Sequence, residues 1–577
     1  MAARLTAYIV AFIVGLTVIA GLIVGAQRDD AGPVDLIVVN GRVYTADGQS
    51  TMAEAVAVQG NRILMVGTTR EVQRLRRPQT IVVDARGGAV LPGFDDAHTH
   101  LLSGGLSMHR INLLDSRTLP AIESAVREWS AAHPDEPWVI GRGWLYEPFP
   151  GGLPTRQILD ALVPDRPAYL TSYDGHTGWA NSVALKLAGI NRRSKNPANG
   201  IIVKDQRTGE PTGVLKEAAM NLMTAHLPEP TRSDKVAAIR SAVTEAHRRG
   251  VTSVQTASGS PEELEIYEAL RKAGDLDLRV YAALSGTQGL SAQDLEALDA
   301  LREKYADDPM FKAGAIKLMA DGVIESHTAA MLEPYSNLES VRGEPRLTAD
   351  ELDRVVVDLD RRGWQIMIHA IGDRAIRMAL DAFERAAARN PVPARGRRHR
   401  IEHIETIDAA DIPRFGHLGV IASMQPYHGL PDPPQIAVWR ANIGEDRASR
   451  AWMYGSIARG KGALAFGSDW PVVDLDPLLG LHVAVNRTTL AGEPENGWIP
   501  SERLTLEQAI NAYTRGGAWA SFDEHRKGSI ARDMLADIVV LTKDIFSLSP
   551  ARLGETEVAV TIFDGKVVYQ RSTETDN

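Results

Sequence analysis

The chain contains no cysteine. This absence excludes disulfide bonds, thiolate nucleophiles and cysteine-ligated metals. Any tightly held transition metal must therefore rely on histidine, aspartate, glutamate or a modified lysine. Because proteins without cysteine occur in oxidising and in reducing compartments, the absence assigns the protein to neither.

The chain also lacks an excess of basic residues. Lysine and arginine number 63 against 73 acidic residues, which gives a formal net charge of −10. This balance excludes the basic surface typical of nucleic-acid-binding proteins, so we expect no nucleic-acid partner. Apolar residues make up 44% and charged residues 24% of the 577 positions, a globular composition with room for a large core.

A long uncharged segment lies near the N-terminus. Residues 5–26 carry no charge and, as a helix, are long enough to cross roughly 30 Å of hydrocarbon. We expect a membrane anchor within residues 1–30. The alternatives are a secretory signal cut after Val24-Gly25-Ala26 and a buried soluble helix. Arg4 predicts a cytoplasmic N-terminus, which places the main domain outside the cytoplasm, either anchored or secreted after cleavage.

Both ends of the remaining chain have the pattern of short β-strands. Residues 35–84 contain the runs DLIVVNGRVYTAD, AEAVAVQGNRILMVG and TIVVDARGG, with turn signals at Asn40-Gly41 and Gly60-Asn61. The runs GSIARDMLADIVVLTKD and EVAVTIFDGKVVYQ near the C-terminus are similar. The pattern predicts one small β domain built from residues 31–88 and 526–577.

The middle of the chain, residues 89–525, alternates apolar β-type runs with amphipathic helical stretches, which predicts βα units and a parallel sheet. The expected strands are 89–94, 251–256, 278–284, 313–319, 364–369, 400–404, 419–424 and 463–468. Eight such strands close a (β/α)8 barrel. The first gap predicts an insertion at about 105–240 that contains the strand-like runs WVIGRGW and PAYLTS. An open doubly wound sheet is the alternative, but no glycine-rich phosphate-binding motif follows an early strand.

His98 and His100, in the run LPGFDDAHTH, are the first candidate metal ligands. On an extended strand, residues two apart point to the same side. Two imidazoles at the end of an apolar strand form half of a metal site. The motif alone is equally compatible with solvated or internally bonded histidines.

Four later strand ends favour the metal site. Lys317 lies inside the apolar run AIKLMADG, His369 ends WQIMIHA, His403 lies in RIEHIE, and Asp469 follows ALAFGS. In a (β/α)8 barrel the carboxyl ends of the strands meet at one mouth. Imidazole and carboxylate ligands with an open position suit zinc or a similar divalent ion. A carboxylate beside the water of such an ion can accept and return a proton, and Asp469 is the candidate for this role.

The chain resembles the amidohydrolase superfamily, specifically the amidohydrolase-3 branch that includes N-substituted formamide deformylase-like enzymes. The similarity runs from about Val34 to Tyr569. It is carried by the motifs LPGFDDAHTH, SYDGHTGWANS, PTGVLKEAA, KLMADGVIESHTAAMLEPY, IHAIGD, IEHIE, SMQPYH, FGSDWPV and LADIVVL. The resemblance implies a (β/α)8 barrel with a small β-sandwich made from both chain ends.

The resemblance also implies a ligand set and a reaction. The ligands are His98, His100, Lys317, His369, His403 and Asp469. In related enzymes the matching lysine is carboxylated and bridges two metal ions, although one-metal members exist. The implied reaction is hydrolysis of a non-peptide C–N bond in an amide or formamide by a metal-activated hydroxide, with Asp469 as general acid and base.

Several alternatives remain open. The same site could hydrolyse esters or lactones, and a membrane-tethered binding or regulatory protein could retain the barrel without catalysis. His176, His327, Gln425, His428 and Trp470 could shape the pocket for a small-molecule substrate or pack and orient loops. The run VIESHTAA differs from the Ser-Leu-Gly-Ser-Arg-type run of many relatives, so Glu325 and His327 argue against transferring any particular substrate. Homo-oligomer formation is left open.

Overall fold

The computed structural model describes residues 34–49, 51–286, 291–306 and 308–572. The uncharged segment 5–26 lies outside these ranges, so its role as an anchor or signal stays a prediction. Within the described residues, no helix combines the length and the apolar character needed to cross a bilayer.

The N-terminal part of the described chain consists mainly of short strands. They are β1 (Leu36–Val39), β2 (Arg42–Tyr44), β3 (Met52–Ala53), β4 (Ala55–Gln59), β5 (Arg62–Gly67), β6 (Ile81–Asp84) and β7 (Ala89–Pro92), with helix α1 (Thr69–Gln73) before β6. Asn40 and Gly60 both have a φ of 56°, as expected for the two turn signals. Strands β5, β4, β1 and β6 form one sheet in that order.

The first barrel strand, β8 (Phe94–Thr99), starts later than the sequence indicates. The predicted strand 89–94 is divided, because β7 joins the N-terminal sheets and the barrel begins only at Phe94. Gly93 lies at the division, and a Cβ there would stand 2.2 Å from Thr252 Oγ1. The apolar run therefore contains the ends of two strands that belong to different sheets.

A separate sheet is inserted between β8 and the next barrel strand. Its strands are β9 (Ile111–Asn112), β10 (Val139–Trp144), β11 (Ala168–Ser172), β12 (Thr177–Ala180), β13 (Gly200–Lys204) and β14 (Pro211–Glu217). The accompanying helices are α2 (Leu101–Ser107), α3 (Leu119–Ala132), α4 (Arg156–Leu162), α5 (Ser182–Leu187) and α6 (Asn221–Thr224). The runs WVIGRGW and PAYLTS fall on β10 and β11. Trp144 and Trp179 lie in a core of this sheet's own.

The central domain is a parallel barrel. After β8 its strands are β15 (Val251–Gly259), β16 (Arg279–Ser285), β17 (Phe311–Met319), β18 (Gln365–Ala370), β19 (Arg400–His403), β20 (Ile421–Met424) and β21 (Ala463–Phe466). Among the described residues these eight strands pair consecutively and in parallel, from β8 to β21.

Helices surround the barrel and line its rim. They are α7 (Arg232–Arg248), α8 (Pro261–Ala273), α9 (Ala292–Lys304), α10 (Ala349–Arg361), α11 (Asp373–Arg389), α12 (Ile412–Leu418), α13 (Pro433–Ala448, kinked at Gly444), α14 (Tyr454–Arg459), α15 (Pro477–Asn486), α16 (Leu506–Ala512) and α17 (Arg515–Ala520). Thr231, Ser260, Ser291 and Thr348 accept hydrogen bonds from the first-turn backbone of α7 to α10 and so fix where these helices start.

The barrel closes just beyond the end of β21. The backbone N–H of Asp469 donates to His98 O at 2.7 Å, and that of His100 donates to Trp470 O at 2.7 Å. Gly467 permits this approach, because a Cβ there would lie 2.4 Å from His98 N. The seam that closes the barrel is therefore formed by residues predicted to bind metal.

The C-terminal strands complete a small β-sandwich with the N-terminal ones. They are β22 (Ile538–Leu541), β23 (Val558–Phe563) and β24 (Lys566–Gln570), and the sheet order is β24-β23-β22-β7-β2-β3. Side chains of both sheets share one core, which includes Val38 and Val56 from one sheet and Val90, Ile538 and Ile562 from the other. Both chain ends therefore contribute to this domain.

A buried ion pair joins the sandwich to the barrel. Arg279, at the start of β16, donates to the Asp537 carboxylate at 2.5 and 2.9 Å and to Asp564 at 2.8 Å. The Arg279 and Asp537 side chains are 4% and 5% exposed. Removal of one partner leaves the other charge buried without compensation.

We predict that Arg279→Ala lowers the free energy of unfolding by about 3–5 kcal/mol, because Asp537 then stays buried and unpaired. Denaturant titration followed by tryptophan fluorescence measures the change. The control is Arg240→Ala, whose ion pair with Asp275 is about half exposed and should contribute less than about 1 kcal/mol. Equal midpoints for the two variants would contradict the prediction.

Candidate metal centre

The candidate site occupies the mouth of the barrel, at the carboxyl ends of its strands. A cavity of about 510 Å³ opens there. Its wall includes five of the six predicted ligands, which are His100, Lys317, His369, His403 and Asp469. The sixth, His98, is buried. The structure therefore brings the six predicted side chains to one place.

Asp469 is the point on which three imidazoles converge. Its Oδ1 lies 3.5 Å from His98 Nε2 and 3.2 Å from His100 Nε2, and its Oδ2 lies 3.8 Å from His403 Nδ1. One ligand atom each from His98, His403 and Asp469 lie within 4.8 Å of one another. Such a spacing suits donors that surround a single cation.

Asp469 is also held in an unusual environment. It has a φ of 61°, and its neighbour in the cluster, His403, has a φ of 74°. Both values are uncommon for non-glycine residues and cluster at functional sites. Burial would raise the pKa of Asp469, but the nearby His98, His100 and His403 lower it well below its ordinary value. Its buried Oδ1 has no hydrogen-bond partner in the described part of the chain.

His98 is oriented by a buried carboxylate. Its Nδ1 lies 2.5 Å from Glu402 Oε2, so Nδ1–H donates to Glu402 and Nε2 keeps a lone pair that faces the cluster. Burial and the adjacent Lys317 lower the pKa of His98 to about 4, so the ring is neutral at neutral pH. A neutral imidazole with a free Nε2 is the form that binds metal.

Glu402 is in turn held by Arg400. The guanidinium donates to Glu402 Oε1 at 2.7 Å, to Ala97 O at 2.6 Å and to Ser423 Oγ at 2.6 Å. Burial would raise the pKa of Glu402, but Arg400 and His98 together lower it. The carboxylate therefore stays ionised inside the barrel.

Lys317 and His369 complete the set. Lys317 is buried, with Nζ 3.2 Å from His98 Nε2, and burial lowers its pKa. His369 Nε2–H donates to Gly322 O at 3.1 Å, which leaves Nδ1 as its free ring nitrogen. Burial and the neighbouring His176 lower the pKa of His369 well below its ordinary value. The two imidazole rings of His369 and His403 lie 4.6 Å apart.

The residues at this site fit a divalent cation. Neutral imidazoles, an ionised carboxylate and an unsatisfied buried carboxylate oxygen meet in a space lined by few cations. This donor set, rich in imidazole and free of sulfur, is the one that zinc and similar ions prefer.

The pocket residues suggested by the sequence fall into two groups. His176 and His428 line the cavity. Gln425 lies behind it and contacts His403 Nδ1 through Oε1 at 2.9 Å. Trp470 lines a neighbouring cavity, because its indole packs against Gly104. His327 points to Asn337 Oδ1, 3.0 Å from its Nε2. The structure therefore places Gln425, Trp470 and His327 outside the cavity wall.

His176 is held by residues that the sequence did not single out. Its Nδ1 lies 3.1 Å from both oxygens of Glu217, which also bonds to Arg346 and to Thr328 Oγ1 at 2.5 Å. Burial would lower the pKa of His176, but Glu217 raises it overall. Glu217 has a φ of 52°. The inserted sheet thus contributes an oriented imidazole to the cavity, with its ring 5.5 Å from that of His369.

Glu402 and Arg400 were also missed by the sequence analysis. They are two apart in RIEHIE and so share one face of β19. Two opposite charges on one face of an apolar strand are a signal that could have revealed a buried pair. The contacts of Glu217 carry no such signal, since its partners His176, Thr328 and Arg346 lie 41, 111 and 129 residues away along the chain.

We predict that Glu402→Gln weakens Zn²⁺ binding about 10- to 100-fold, because the tautomer of His98 is then no longer fixed. Titration with a competing chromophoric chelator measures the affinity. The control, Glu265→Gln, changes a mostly exposed carboxylate and should leave the affinity unchanged. Tight binding by a folded Glu402→Gln protein would show that Glu402 does not orient the ligand.

Comparison with known proteins connects this site to a family. A model described as the amidohydrolase family matches residues 81–569. The protein LONG AFTER FAR-RED 3 of Arabidopsis thaliana is 32% identical over 549 residues, which cover 93% of this chain and 91% of the relative. The N-substituted formamide deformylase of Arthrobacter pascens is 28% identical over 546 residues, covering 93% and 99%.

A solved structure has the same fold. An uncharacterized metal-dependent hydrolase from Pyrococcus furiosus is similar with a TM-score of 0.67 and 26% sequence identity, and the match covers 88% of this chain and 99% of that one. The similarity includes the barrel and extends over nearly all of that protein.

Proposed function

The chain belongs to the amidohydrolase family, and from this premise we propose that it is a metal-dependent hydrolase of a non-peptide C–N bond, in an amide or a formamide. The observation that carries the proposal is the convergence of His98, His100 and His403 on Asp469 inside a cavity. The N-substituted formamide deformylase relative supports the bond type.

The proposed cofactor is a pair of divalent metal ions, most simply zinc. His98, His100, His369, His403 and Asp469 would hold them together with Lys317. When bound, such an ion polarises a carbonyl group and lowers the pKa of water. The barrel residues hold these donors in a buried, largely neutral setting, so little reorganisation is needed when substrate enters.

Lys317 is proposed to be carboxylated and to bridge two ions. A protonated amine 3.2 Å from His98 Nε2 would repel a cation at that nitrogen. In carboxylation the neutral amine adds to carbon dioxide and loses a proton, which replaces the positive charge by a negatively charged carbamate and supplies two oxygen donors. The burial of Lys317 supports this change, because a buried ammonium group is costly without a partner.

Asp469 moves the proton in the proposed reaction. Its ionised Oδ1, which has no other hydrogen bond among the described residues, accepts a proton from the water that attacks the carbonyl carbon. As the C–N bond breaks, Asp469 returns that proton to the leaving nitrogen. The products are a carboxylic acid and an amine, and Asp469 regains its ionised state.

We predict that Asp469→Asn lowers kcat at least about 100-fold, since the amide cannot accept the proton. Turnover is measured on a panel of formamides, amides, esters and lactones, and metal content by elemental analysis of the purified protein. Metal should remain largely bound. The control is Asp533→Asn, which changes an exposed carboxylate.

Three outcomes of this experiment are decisive. Undiminished turnover by Asp469→Asn would overturn the role of this residue. Preferential hydrolysis of esters or lactones would show that the protein cleaves a C–O bond and not the proposed C–N bond. A metal-free wild-type protein that is inert across the panel would favour a binding or regulatory protein instead.

We also propose that segment 5–26 anchors the protein with the catalytic domain outside the cytoplasm. Support comes from its lack of charge and from Arg4 before it. Protease added to intact cells should digest the catalytic domain while a cytoplasmic marker survives. Complete protection of the domain would contradict this orientation, and release into the medium would indicate a cleaved signal.

A further inference from the structure

The cavity wall carries four carboxyl groups outside the candidate metal centre, those of Asp174, Glu217, Glu325 and Glu405. Glu325 follows β17, Glu405 follows β19, and both line the cavity. Tyr173 Oη donates to Glu325 Oε1 at 2.5 Å, and Trp439 Nε1 donates to Glu405 Oε2 at 2.9 Å. In the described part of the chain, neither carboxyl forms an ion pair with lysine or arginine.

The carboxyl groups of Glu325 and Glu405 affect each other. Burial, and next the charge of Glu405, raise the pKa of Glu325 well above its ordinary value. Like charges confined in a poorly solvated space are unfavourable until a proton or a cation compensates them. Two arginines also line the cavity. Arg142 donates to Tyr173 O at 2.7 Å and has Asp469 and Asp174 as its principal acidic neighbours, and Arg346 donates to Glu217.

His428 stands between these carboxyl groups and the metal centre. Its Nδ1 lies 3.9 Å from Glu405 Oε1 and its Nε2 lies 3.9 Å from Asp469 Oδ2, with the side chain 10% exposed. Nε2 is buried and has no hydrogen-bond partner among the described residues. An unsatisfied buried nitrogen on a cavity wall indicates that a ligand atom or water completes it. We call Glu325 and Glu405 together the acidic wall. The imidazole ring of His428 separates it from Asp469.

Aromatic rings accompany the acids. Trp439 and Trp452 stack with ring centroids 5.0 Å apart, and both line the cavity. Because Trp439 also donates to Glu405, its ring is fixed beside that carboxylate. Carboxylates held in place by tryptophan and tyrosine donors bind organic cations by ion pairing and charge-assisted hydrogen bonds.

We propose that Glu325 and Glu405 bind a cationic group of the substrate. The substrate class is then an amide or formamide that carries an ammonium or guanidinium group in addition to the bond that is cleaved. This inference rests on the proposed function, because it names the substrate class of the same cavity.

The test compares three formamides of similar length. N-formylpentane-1,5-diamine is cationic, N-hexylformamide is neutral, and 6-formamidohexanoate is anionic. The wild-type protein should prefer the cation over the neutral compound in kcat/KM by about 10- to 100-fold, the range expected for a charge-assisted hydrogen bond. The variant Glu325→Gln should remove most of this preference, mainly through KM.

The controls separate recognition from folding. Glu339→Gln changes an exposed glutamate in the same loop region and should keep the wild-type ratio of the two kcat/KM values. Thermal unfolding shows whether Glu325→Gln is folded. A folded Glu325→Gln protein that loses activity by the same factor on the cation and on the neutral compound would overturn the proposal, since that result describes a structural residue.

Other outcomes are equally informative. Wild-type preference for the neutral compound would overturn the proposal. Preference for the anion would also overturn it and would indicate that Arg142 binds an anionic group of the substrate. If none of the three compounds is hydrolysed, calorimetric binding decides. Tighter binding of the cation that Glu325→Gln abolishes supports the acidic wall although the hydrolase proposal fails for these compounds, and equal binding of all three refutes it.

Discussion

The Glu402 carboxylate lies in the barrel interior between Arg400 and His98, and it has no access to solvent. The Arg400 guanidinium and the His98 imidazole contact both carboxylate oxygens. These contacts compensate a negative charge whose burial would otherwise be very unfavourable. Arg400 extends the network to Gln255 and Ser423, and Gln255 continues it to Asp95. Four barrel strands are therefore tied to one carboxylate that also sets the direction of a candidate ligand.

Contacts with neighbouring residues orient three of the candidate ligands. His98 is turned by Glu402, His369 by the Gly322 carbonyl, and His403 contacts Gln425. In each of these three imidazoles, one ring nitrogen contacts an oxygen atom of a neighbouring residue. The loops above the rim and the inserted sheet supply other parts of the cavity wall, including Tyr173 and Glu325.

Much of this architecture could be predicted from the sequence, because β-type runs and the residues that end them are local features. The division of residues 89–94 between two sheets could not be predicted. It depends on Gly93, where the distant Thr252 leaves no room for a Cβ in the folded protein. The proximity of the six candidate ligands was predictable, because they stand at the ends of barrel strands. The contacts along the cavity wall could not be predicted. Tyr173 and Glu325, and likewise His428 and Asp469, come together only in the tertiary fold. His327 lies outside the cavity wall, with its Nε2 3.0 Å from Asn337 Oδ1, and a contact so specific to the tertiary fold is not visible in the sequence.

The seam of the barrel has a consequence for how the protein is made. The N–H of Asp469 and the carbonyl of Trp470 close the barrel onto His98 and His100, and β7 pairs with β2 on one side and with the C-terminal strand β22 on the other. Chains emerge from the ribosome from the N-terminus onward, and domains tend to fold in that order. Here neither the mouth of the barrel nor the sandwich can form until late in translation. A nascent or truncated chain that ends before residue 469 therefore lacks the closing seam and one of the six candidate ligands, and the candidate site is assembled only late in synthesis.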